Sequence, residues 1–352
     1  MKFGLHYQVP CSASQSPVQR YRDTLDQAAH AEALGFESVW PVEQHFIPDL
    51  SIMPAPMLLL AAVAERTKTL RLGIAIVLLP LSHPLRIAEE VATLDVLSNG
   101  RVEFGIGRGS VPSHFLGFGI PQAESRERFL EGLEVIRQAW TNERVSFHGR
   151  FFSVDNLVVV PKPVQQPYPP IRVAANSVDT FELMGRLGLP IFAASQVNPF
   201  ARIREFLPLY RENRKAAGHP DNGGDDVTVL MPFYVGESTA EIRSDLEPSI
   251  QHLLHTATTL FSSTGAAPPL GDQPQPPSKA RERFGRLTYD KFGESMGVFD
   301  SPEACVERLG RLHEDFAMGR AILWFNPGGQ VPHERVMRSM ELFAAKVMPH
   351  FA

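Results

Sequence analysis

The segment Gly105–Ser110 (GIGRGS) combines three glycines with a single arginine directly after an apolar run. Glycine lets a ligand approach the backbone closely, and the guanidinium of Arg108 offers a fork of donors that suits a phosphate. Ser177 and Thr180 lie where a helix is predicted to begin, and the free N–H groups and hydroxyls there favour an anion. Ser177 could equally be a simple helix cap, and the glycines simple turn residues. Taken together, these residues predict a phosphate pocket.

Two histidines, His45 and His83, are predicted at the ends of neighbouring strands, where a side chain can take part in proton transfer. Glu43 is close enough in sequence to His45 to tune its basicity or to hold its tautomer. His252 and His255 lie three residues apart on a predicted helix, but no further ligand is near them in the sequence. The sequence therefore predicts no metal site.

Short apolar runs alternate with helical patterns along most of the chain, which predicts parallel strands joined by helices. The predicted strands cover residues 2–7, 37–40, 70–79, 102–106, 171–174, 191–194, 227–235 and 321–325. Eight such units favour an α/β fold, a (β/α)8 TIM barrel, which typically takes about 250 residues plus insertions. A doubly wound open sheet is the alternative, but no dinucleotide fingerprint follows the first strand. Active sites of such barrels lie at the carboxyl ends of the strands, where the residues above are predicted.

Two stretches interrupt this alternation. Residues of about 145–170 alternate around turn residues and predict a hairpin insertion after the fourth strand–helix unit. Residues 262–280 are rich in proline and glycine and poor in large apolar groups, which predicts a mobile loop before the last pair of helices. The whole chain, 1–352, is predicted to form one barrel domain with these two additions.

Composition excludes several classes of protein. The chain has 352 residues, is 43% hydrophobic and carries a formal net charge of -5, which argues against a nucleic-acid partner. The longest apolar run, Met57–Ala64, is far shorter than the about 20 residues that cross a bilayer. Cys11 and Cys305 are the two cysteines, so no disulfide framework is predicted. We expect a soluble, cytoplasmic protein with no membrane partner.

Long ordered motifs also resemble those of a known family. They are WPVEQHF at 40–46, TLRLGIAIVLLPLSHPLR at 69–86, AEEVATLDVLSNGR at 88–101 and FGIGRG at 104–109. The chain resembles the bacterial luciferase-like flavin monooxygenases, and within them the branch of the luciferase catalytic subunit. The resemblance implies a dimeric barrel that receives reduced FMN from a separate flavin reductase. In that family O2 adds to the reduced flavin, and the flavin hydroperoxide oxidises an organic substrate.

The resemblance also implies positions for the cofactor. The phosphate site maps onto Arg108, Ser177 and Thr180, in agreement with the residue types themselves. The platform for the isoalloxazine ring maps onto Ala75 and Ile76, where the family often has a non-proline cis peptide, and a mobile lid maps onto 262–290. The complete predicted cofactor-binding set is Ala75, Ile76, Gly107, Arg108, Asn176, Ser177, Thr180 and Ser195.

The chain departs from the family at three positions. The family commonly has Glu-His-His-Phe where this chain has Glu43-Gln44-His45-Phe46, and the first of those histidines is catalytic in luciferases. Gln44 cannot act as an acid or base near neutral pH, although it can hydrogen-bond an oxygen of the peroxide or substrate. Gly107 stands where luciferases have a reactive cysteine, and Asn176 where they have an acidic residue. We therefore expect oxygenation of another substrate rather than light emission, with Glu43, Gln44 and His45 as the catalytic set.

Two other functions remain open from the sequence. One is a deazaflavin-dependent oxidoreductase on the same fold, and the other is a non-catalytic flavin-binding protein or partner subunit. The apolar helices at 54–65 and 85–97 predict a homodimer, since an outer helix of a barrel should keep one wet face. The substrate pocket, for a moderately large and partly apolar molecule, is predicted to be lined by Tyr7, Phe46, Phe115, Gln196 and Phe233.

Overall fold

The structure is a computed structural model that describes residues 1–12, 14–260 and 279–352. Twelve strands occur in this part of the chain, ten in one sheet and two in a separate hairpin. The strands are β1 (Lys2–Tyr7), β2 (Ser38–Pro41), β3 (Arg71–Gly73), β4 (Val77–Leu78), β5 (Val102–Gly107), β6 (Val145–His148), β7 (Ser153–Leu157), β8 (Ile171–Ala174), β9 (Ile191–Ala194), β10 (Val227–Val235), β11 (Val298–Asp300) and β12 (Arg320–Trp324).

Eight strands close into a parallel barrel, so the predicted (β/α)8 fold is confirmed. The order around the barrel is β1, β2, β3, β5, β8, β9, β10 and β12, and β12 pairs with β1 to close it. Side chains from four different strands meet inside the barrel, namely Trp40, Phe192, Leu230 and Ile322. The opposite faces of the strands pack against the surrounding helices, as alternation along a strand requires.

Helices surround the barrel and are separated from it by the main hydrophobic core. In the described part of the chain they are α1 (Pro17–Leu34), α2 (Pro56–Arg66), α3 (Pro84–Leu97), α4 (Pro112–Gly117), α5 (Ser125–Thr141), α6 (Val178–Leu187), α7 (Phe200–Ala216), α8 (Thr239–Leu260), α9 (Lys279–Gly285), α10 (Tyr289–Met296), α11 (Pro302–Phe316) and α12 (His333–Lys346). Local sequence signals fix several ends. Ser16 and Ser301 cap α1 and α11 with their hydroxyls, and Gly35 ends α1 in the left-handed conformation.

The third strand of the barrel differs from the prediction. The apolar run 70–79 predicts one continuous strand, but it forms β3 and β4 with an irregular segment between them. At that segment the carbonyl oxygen of Ile74 lies against β5, only 1.8 Å from where a Cβ on Gly105 would be. Gly105 is therefore a glycine inside a strand that permits a close backbone approach, not a turn residue. The peptide bond between Ala75 and Ile76 is cis, as the resemblance implies.

The two predicted additions have different outcomes. Strands β6 and β7 pair antiparallel and form a hairpin within the predicted insertion. Residues 262–278 of the predicted mobile loop lie outside the described residues. Residues 279–290 of the predicted lid are not one loop, because they form α9 and the start of α10. The helices form there because Phe284, Phe292 and Met296 pack with α8 in a second hydrophobic cluster.

A buried ionic network crosses the amino ends of the barrel strands. The Glu103 carboxylate accepts from Arg71 at 2.8 Å, from Arg172 at 3.0 Å and from Arg320 at 2.8 Å. Burial alone would raise the pKa of Glu103, but the arginines outweigh it and lower that pKa to about 2. Glu37 gives Arg320 a second carboxylate at 2.7 Å. This network joins four barrel strands at the end opposite to the candidate site, which gives it a structural role.

Candidate active site

The predicted phosphate residues meet at the carboxyl ends of β5 and β8. Arg108 follows β5 directly, and its Nη2 lies 3.4 Å from the hydroxyl oxygen of Thr180 in the first turn of α6. The hydroxyl oxygens of Ser177 and Thr180 are 2.9 Å apart. Ser177 occupies the N-cap position of α6, but its side chain makes no capping hydrogen bond. Its hydroxyl therefore pairs with the Thr180 hydroxyl, which contacts Arg108, and not with a backbone N–H of α6.

A second arginine lines the same pocket and was missed by the sequence analysis. Arg126, in the first turn of α5, lines the pocket together with Arg108, Thr180 and Asp179. Arg126 lies 3.9 Å from the carboxylate of Asp179, a weak and exposed pairing. Burial, and then the neighbouring Arg126, lower the pKa of Arg108. Two guanidinium groups and the Thr180 hydroxyl line one pocket, and the Ser177 hydroxyl lies next to Thr180. This arrangement suits a dianionic phosphate, which would relieve the repulsion between the two guanidinium groups.

The predicted ring platform lies beside this pocket. Ile76 is half-buried, and its Cδ1 atom would lie 2.0 Å from a Cβ placed on Gly107. Ile76 therefore occupies the space into which a side chain at position 107 would project. This contact gives a physical reason for glycine at position 107, where the luciferases that this chain resembles have a cysteine. Ala174, at the end of β8, lies on the other side of that space.

In the segment after β2, Glu43 and His45 face one side, and Gln44 faces another. The Oε1 atom of Glu43 lies 2.9 Å from Nε2 of His45, and the other carboxylate oxygen accepts from the backbone N–H of Leu78 at 2.9 Å. Glu43 thus holds the ring of His45 and anchors β4, two residues after the platform. Both side chains line a groove between α2 and α3 that shares no lining residue with the phosphate pocket.

Gln44 projects away from that groove and contacts a residue that the sequence analysis did not identify. Its Nε2 atom lies 2.7 Å from Nε2 of His114, which is buried on the short helix α4. Burial, and then the neighbouring His45, lower the pKa of His114 to about 4. His114 is therefore neutral at physiological pH. The only available signal was its place in the loop region after the fourth barrel strand.

Two members of the predicted cofactor set contact other parts of the chain. Ser195 is fully buried at the end of β9 and donates its hydroxyl to the carbonyl oxygen of Met296 at 2.5 Å. This bond ties β9 to the end of α10, which is a structural role. Asn176 is exposed, and its carbonyl oxygen accepts from Asn198 at 3.0 Å.

The predicted substrate-pocket residues are also divided. Tyr7 and Phe233 are wrong as pocket residues, because both are buried in the core between barrel and helices. Side chains along a barrel strand alternate between the barrel interior and the surrounding helices. Tyr7 and Phe233 are at positions that face the helices. Phe115 is buried beside Leu78 under α4, whereas the ring of Phe46 is exposed.

The remaining candidates have structural roles or none. His83 caps α3 by accepting the backbone N–H of Leu85 at 3.3 Å. Within the described ranges no three His, Cys, Asp or Glu side chains come together as a metal site. His252 and His255 therefore belong to no such cluster. None of the described helices is long and apolar enough to span a bilayer.

Comparison with known proteins identifies the family. Residues 1–318 match the family described as "Luciferase-like monooxygenase". The chain belongs to this family. The alkanal monooxygenase alpha chain of the Kryptophanaron alfredi symbiont is 33% identical to it over 99% of this chain and 98% of its own length. This luciferase-like monooxygenase is accordingly an oxidoreductase.

Other relatives are named for different activities. The oxygenase component of the flavin-dependent trigonelline monooxygenase of Acinetobacter baylyi is 31% identical over 73% of this chain and 64% of its own length. The monooxygenase RslO1 of Streptomyces bottropensis superposes over 100% of both chains with a TM-score of 0.83 and 28% identity.

Two more distant structures share the fold. The oxygenating constituent of 3,6-diketocamphane monooxygenase from Pseudomonas putida, solved in complex with FMN, has a TM-score of 0.83 at 19% identity over 99% of this chain and 98% of its own. An F420-dependent secondary alcohol dehydrogenase has a TM-score of 0.76 at 18% identity over 100% of this chain and 99% of its own.

Proposed function

We propose that this luciferase-like monooxygenase is the oxygenase component of a two-component system that uses reduced FMN and O2 to oxidise a small to medium organic substrate. The observation that carries the proposal is the phosphate pocket, in which Arg108 and Arg126 face Thr180 at the ends of β5 and β8. A deazaflavin cofactor also carries phosphate, so the pocket alone does not choose between the two. A flavin is favoured over a deazaflavin, because the flavin-dependent trigonelline monooxygenase is 31% identical to this chain, whereas the F420 enzyme shares only the fold. FMN is the flavin that the family resemblance implies.

The residues present suit FMN in two places. Arg108, Arg126, Ser177 and Thr180 would hold the phosphate through charge-assisted hydrogen bonds. The segment Ala75–Ile76 would support the ring, with Gly107 leaving room for the Ile76 side chain. Reduced FMN, when bound, supplies the electrons that activate O2 for insertion into the substrate. The chain itself would bind and orient the reactants and exclude water from them.

The assignment of proton-handling groups follows the geometry. Gln44 holds no titratable proton near neutral pH but offers a donor and an acceptor. His45, which the sequence predicts to be a proton-transfer group, is held by Glu43 in the groove between α2 and α3. We therefore propose that Gln44, with His114 behind it, faces the reaction and that the Glu43–His45 pair supports β4 from the other side.

Anaerobic titration with reduced FMN, followed by an oxygen pulse, tests the proposal. We expect saturable binding of reduced FMN, weaker binding of reduced riboflavin because it lacks the phosphate, and reoxidation that is slower than for free flavin. A transient absorbance that differs from both the reduced and the oxidised cofactor should accompany the delay. Binding of a reduced deazaflavin in preference to FMN would favour the hydride-transfer alternative. Binding of FMN with reoxidation as fast as in free solution would favour a non-catalytic flavin-binding protein.

We also propose a homodimer through the face formed by α2 and α3. Leu58 on α2 is 75% exposed and Leu97 on α3 is 57% exposed, and both line the groove between these helices. Exposed leucines along one open groove are typical of a surface that a partner covers. Phe46 and Phe118 extend this apolar face with rings 5.4 Å apart. Sedimentation velocity at micromolar concentration should show a dimer, and a monomer would contradict the proposal.

A further inference from the structure

Two nitrogen atoms lie within hydrogen-bond distance of one ring nitrogen of His114. Its Nε2 atom lies 2.7 Å from Nε2 of Gln44 and 3.4 Å from the backbone N of His45. A backbone N–H can only donate, so Nε2 of His114 must be the accepting, unprotonated nitrogen. The orientation of the Gln44 carboxamide follows from this, because its NH2 group and not its oxygen must then face His114.

The rest of the pair is consistent with a neutral imidazole. His114 is 2% exposed, and its burial beside His45 keeps its pKa well below neutral. The proton of the neutral ring then lies on Nδ1, which is enclosed and has no hydrogen-bond partner among the residues that the structure describes. The Gln44 oxygen is turned away from His114, and within the described ranges no residue donates to it.

The pair is attached to the predicted ring platform. Phe115, next to His114 on α4, packs against Leu78 of β4 and Ile76 in one apolar cluster. Glu43, next to Gln44, accepts the backbone N–H of Leu78 at 2.9 Å. Both partners are therefore fixed to the strand that continues from the platform, one through packing and one through a hydrogen bond.

We propose that His114 is a positioning residue, whose neutral ring holds the Gln44 amide so that the Gln44 oxygen accepts a hydrogen bond from a hydroxyl group of the bound reactants. This inference rests on the proposed function, and it gives the departure at position 44 a physical role. Position 44 carries no imidazole itself, but the imidazole of His114 contacts the Gln44 carboxamide. No proton is transferred through Gln44, because an amide has no titratable proton in this range.

The first test reads the tautomer of His114 in the cofactor-free protein. Long-range 1H–15N correlation spectra of protein labelled at histidine nitrogens should show His114 neutral at pH 7 with its proton on Nδ1. His114→Gln identifies the signal by its loss. Gln44→Glu, which offers only acceptors, should place a proton on Nε2. A wild-type ring that already carries its proton on Nε2, or that is charged at pH 7, would overturn the proposal.

The second test compares two replacements of His114 in the oxygen-pulse experiment. His114→Phe keeps a ring of similar volume but removes the acceptor, whereas His114→Gln keeps an acceptor at a similar reach and loses the ring. A positioning role predicts that His114→Phe loses at least about tenfold of the delay in flavin reoxidation, and that His114→Gln regains part of it. A role in packing alone predicts the reverse order, and that order would overturn the proposal.

Controls separate this inference from the proposed function. His148→Phe, at an exposed position of β6, should show the same delay in flavin reoxidation as the wild type. The dissociation constant of reduced FMN should stay within about twofold in every variant, because the phosphate pocket shares no residue with the pair. The double variant with Gln44→Leu and His114→Phe should lose no more of the delay in flavin reoxidation than the more impaired of the two single variants. If the wild-type protein does not bind reduced FMN, the proposed function fails, and the tautomer still decides the hydrogen-bond assignment.

Discussion

Gly105 and Gly107 lie on the same strand and face the same side, but the structure predicts different outcomes when each is replaced by alanine. A Cβ at 105 would lie 1.8 Å from the backbone oxygen of Ile74, whereas a Cβ at 107 would lie 2.0 Å from Cδ1 of Ile76. Ordinary contacts between such atoms are about 3.5–4 Å, so both overlaps exceed an ångström. A backbone oxygen can move only if the segment between β3 and β4 moves, whereas a terminal methyl group can rotate away.

The magnitudes follow from this difference. Gly107→Ala should reduce the free energy of unfolding by about 1–3 kcal/mol, the usual cost of one extra methyl group in a packed site. Gly105→Ala should cost more than about 4 kcal/mol, because strain at an immovable backbone atom belongs to the severe class of substitutions. Ile76→Val removes the obstructing Cδ1 and leaves Cγ1 at 3.4 Å from the new Cβ. It should therefore rescue Gly107→Ala and leave Gly105→Ala unimproved.

Urea unfolding of the single and double variants, with the binding of reduced FMN measured in parallel, tests this reasoning. The coupling between positions 76 and 107 should be about 1 kcal/mol or more in the favourable direction. Gly310→Ala is the matched control, since a Cβ there meets no heavy atom within 4 Å. Equal costs at positions 105 and 107, or equal rescue of both by Ile76→Val, would refute the argument.

Three further predictions concern the phosphate pocket, the ionic network and the dimer face. Arg108→Ala should weaken the binding of reduced FMN by about 10–150-fold, because one charged hydrogen bond is lost, and should leave the binding of reduced riboflavin unchanged in the same titration. Equal weakening of the binding of both flavins would contradict a phosphate contact. Glu103→Gln should lower the free energy of unfolding by about 3–5 kcal/mol at pH 7, measured in urea, because three arginines lose their shared carboxylate. Since the folded pKa of Glu103 is about 2 and lies below its usual value, its contribution is present at neutral pH and is lost as the pH falls through that pKa; a wild-type pH profile no steeper than that of the variant would count against this assignment. Leu58→Glu should convert the dimer to a monomer in sedimentation velocity, while Glu134→Gln on α5, which lies outside the groove, should not.

Much of the barrel could be predicted from the sequence, because periodicity is a local property. The alternation of apolar runs with helical patterns indicated all eight barrel strands, and their carboxyl ends are where Arg108 and Thr180 meet. The prediction failed where local pattern does not decide. The run 70–79 is as apolar as one continuous strand should be, yet packing of Ile74 against Gly105 breaks it into two. The resemblance also implies a mobile lid at 279–290, whereas Phe284 and Phe292 pack against α8 there.

Part of the site could likewise be predicted from local sequence, and part depends on long-range packing. Residue type and family resemblance identified Arg108, Ser177 and Thr180, since a phosphate requires donors of those kinds at strand ends. The sequence could not show that His114 stands behind Gln44, because the two residues are 70 positions apart and only the packing of α4 on β4 joins them. Nor could it show that Tyr7 points outward from the barrel. Which side chains share a space depends on the closure of the barrel and on the seating of its loops, and these follow from long-range packing rather than from local sequence.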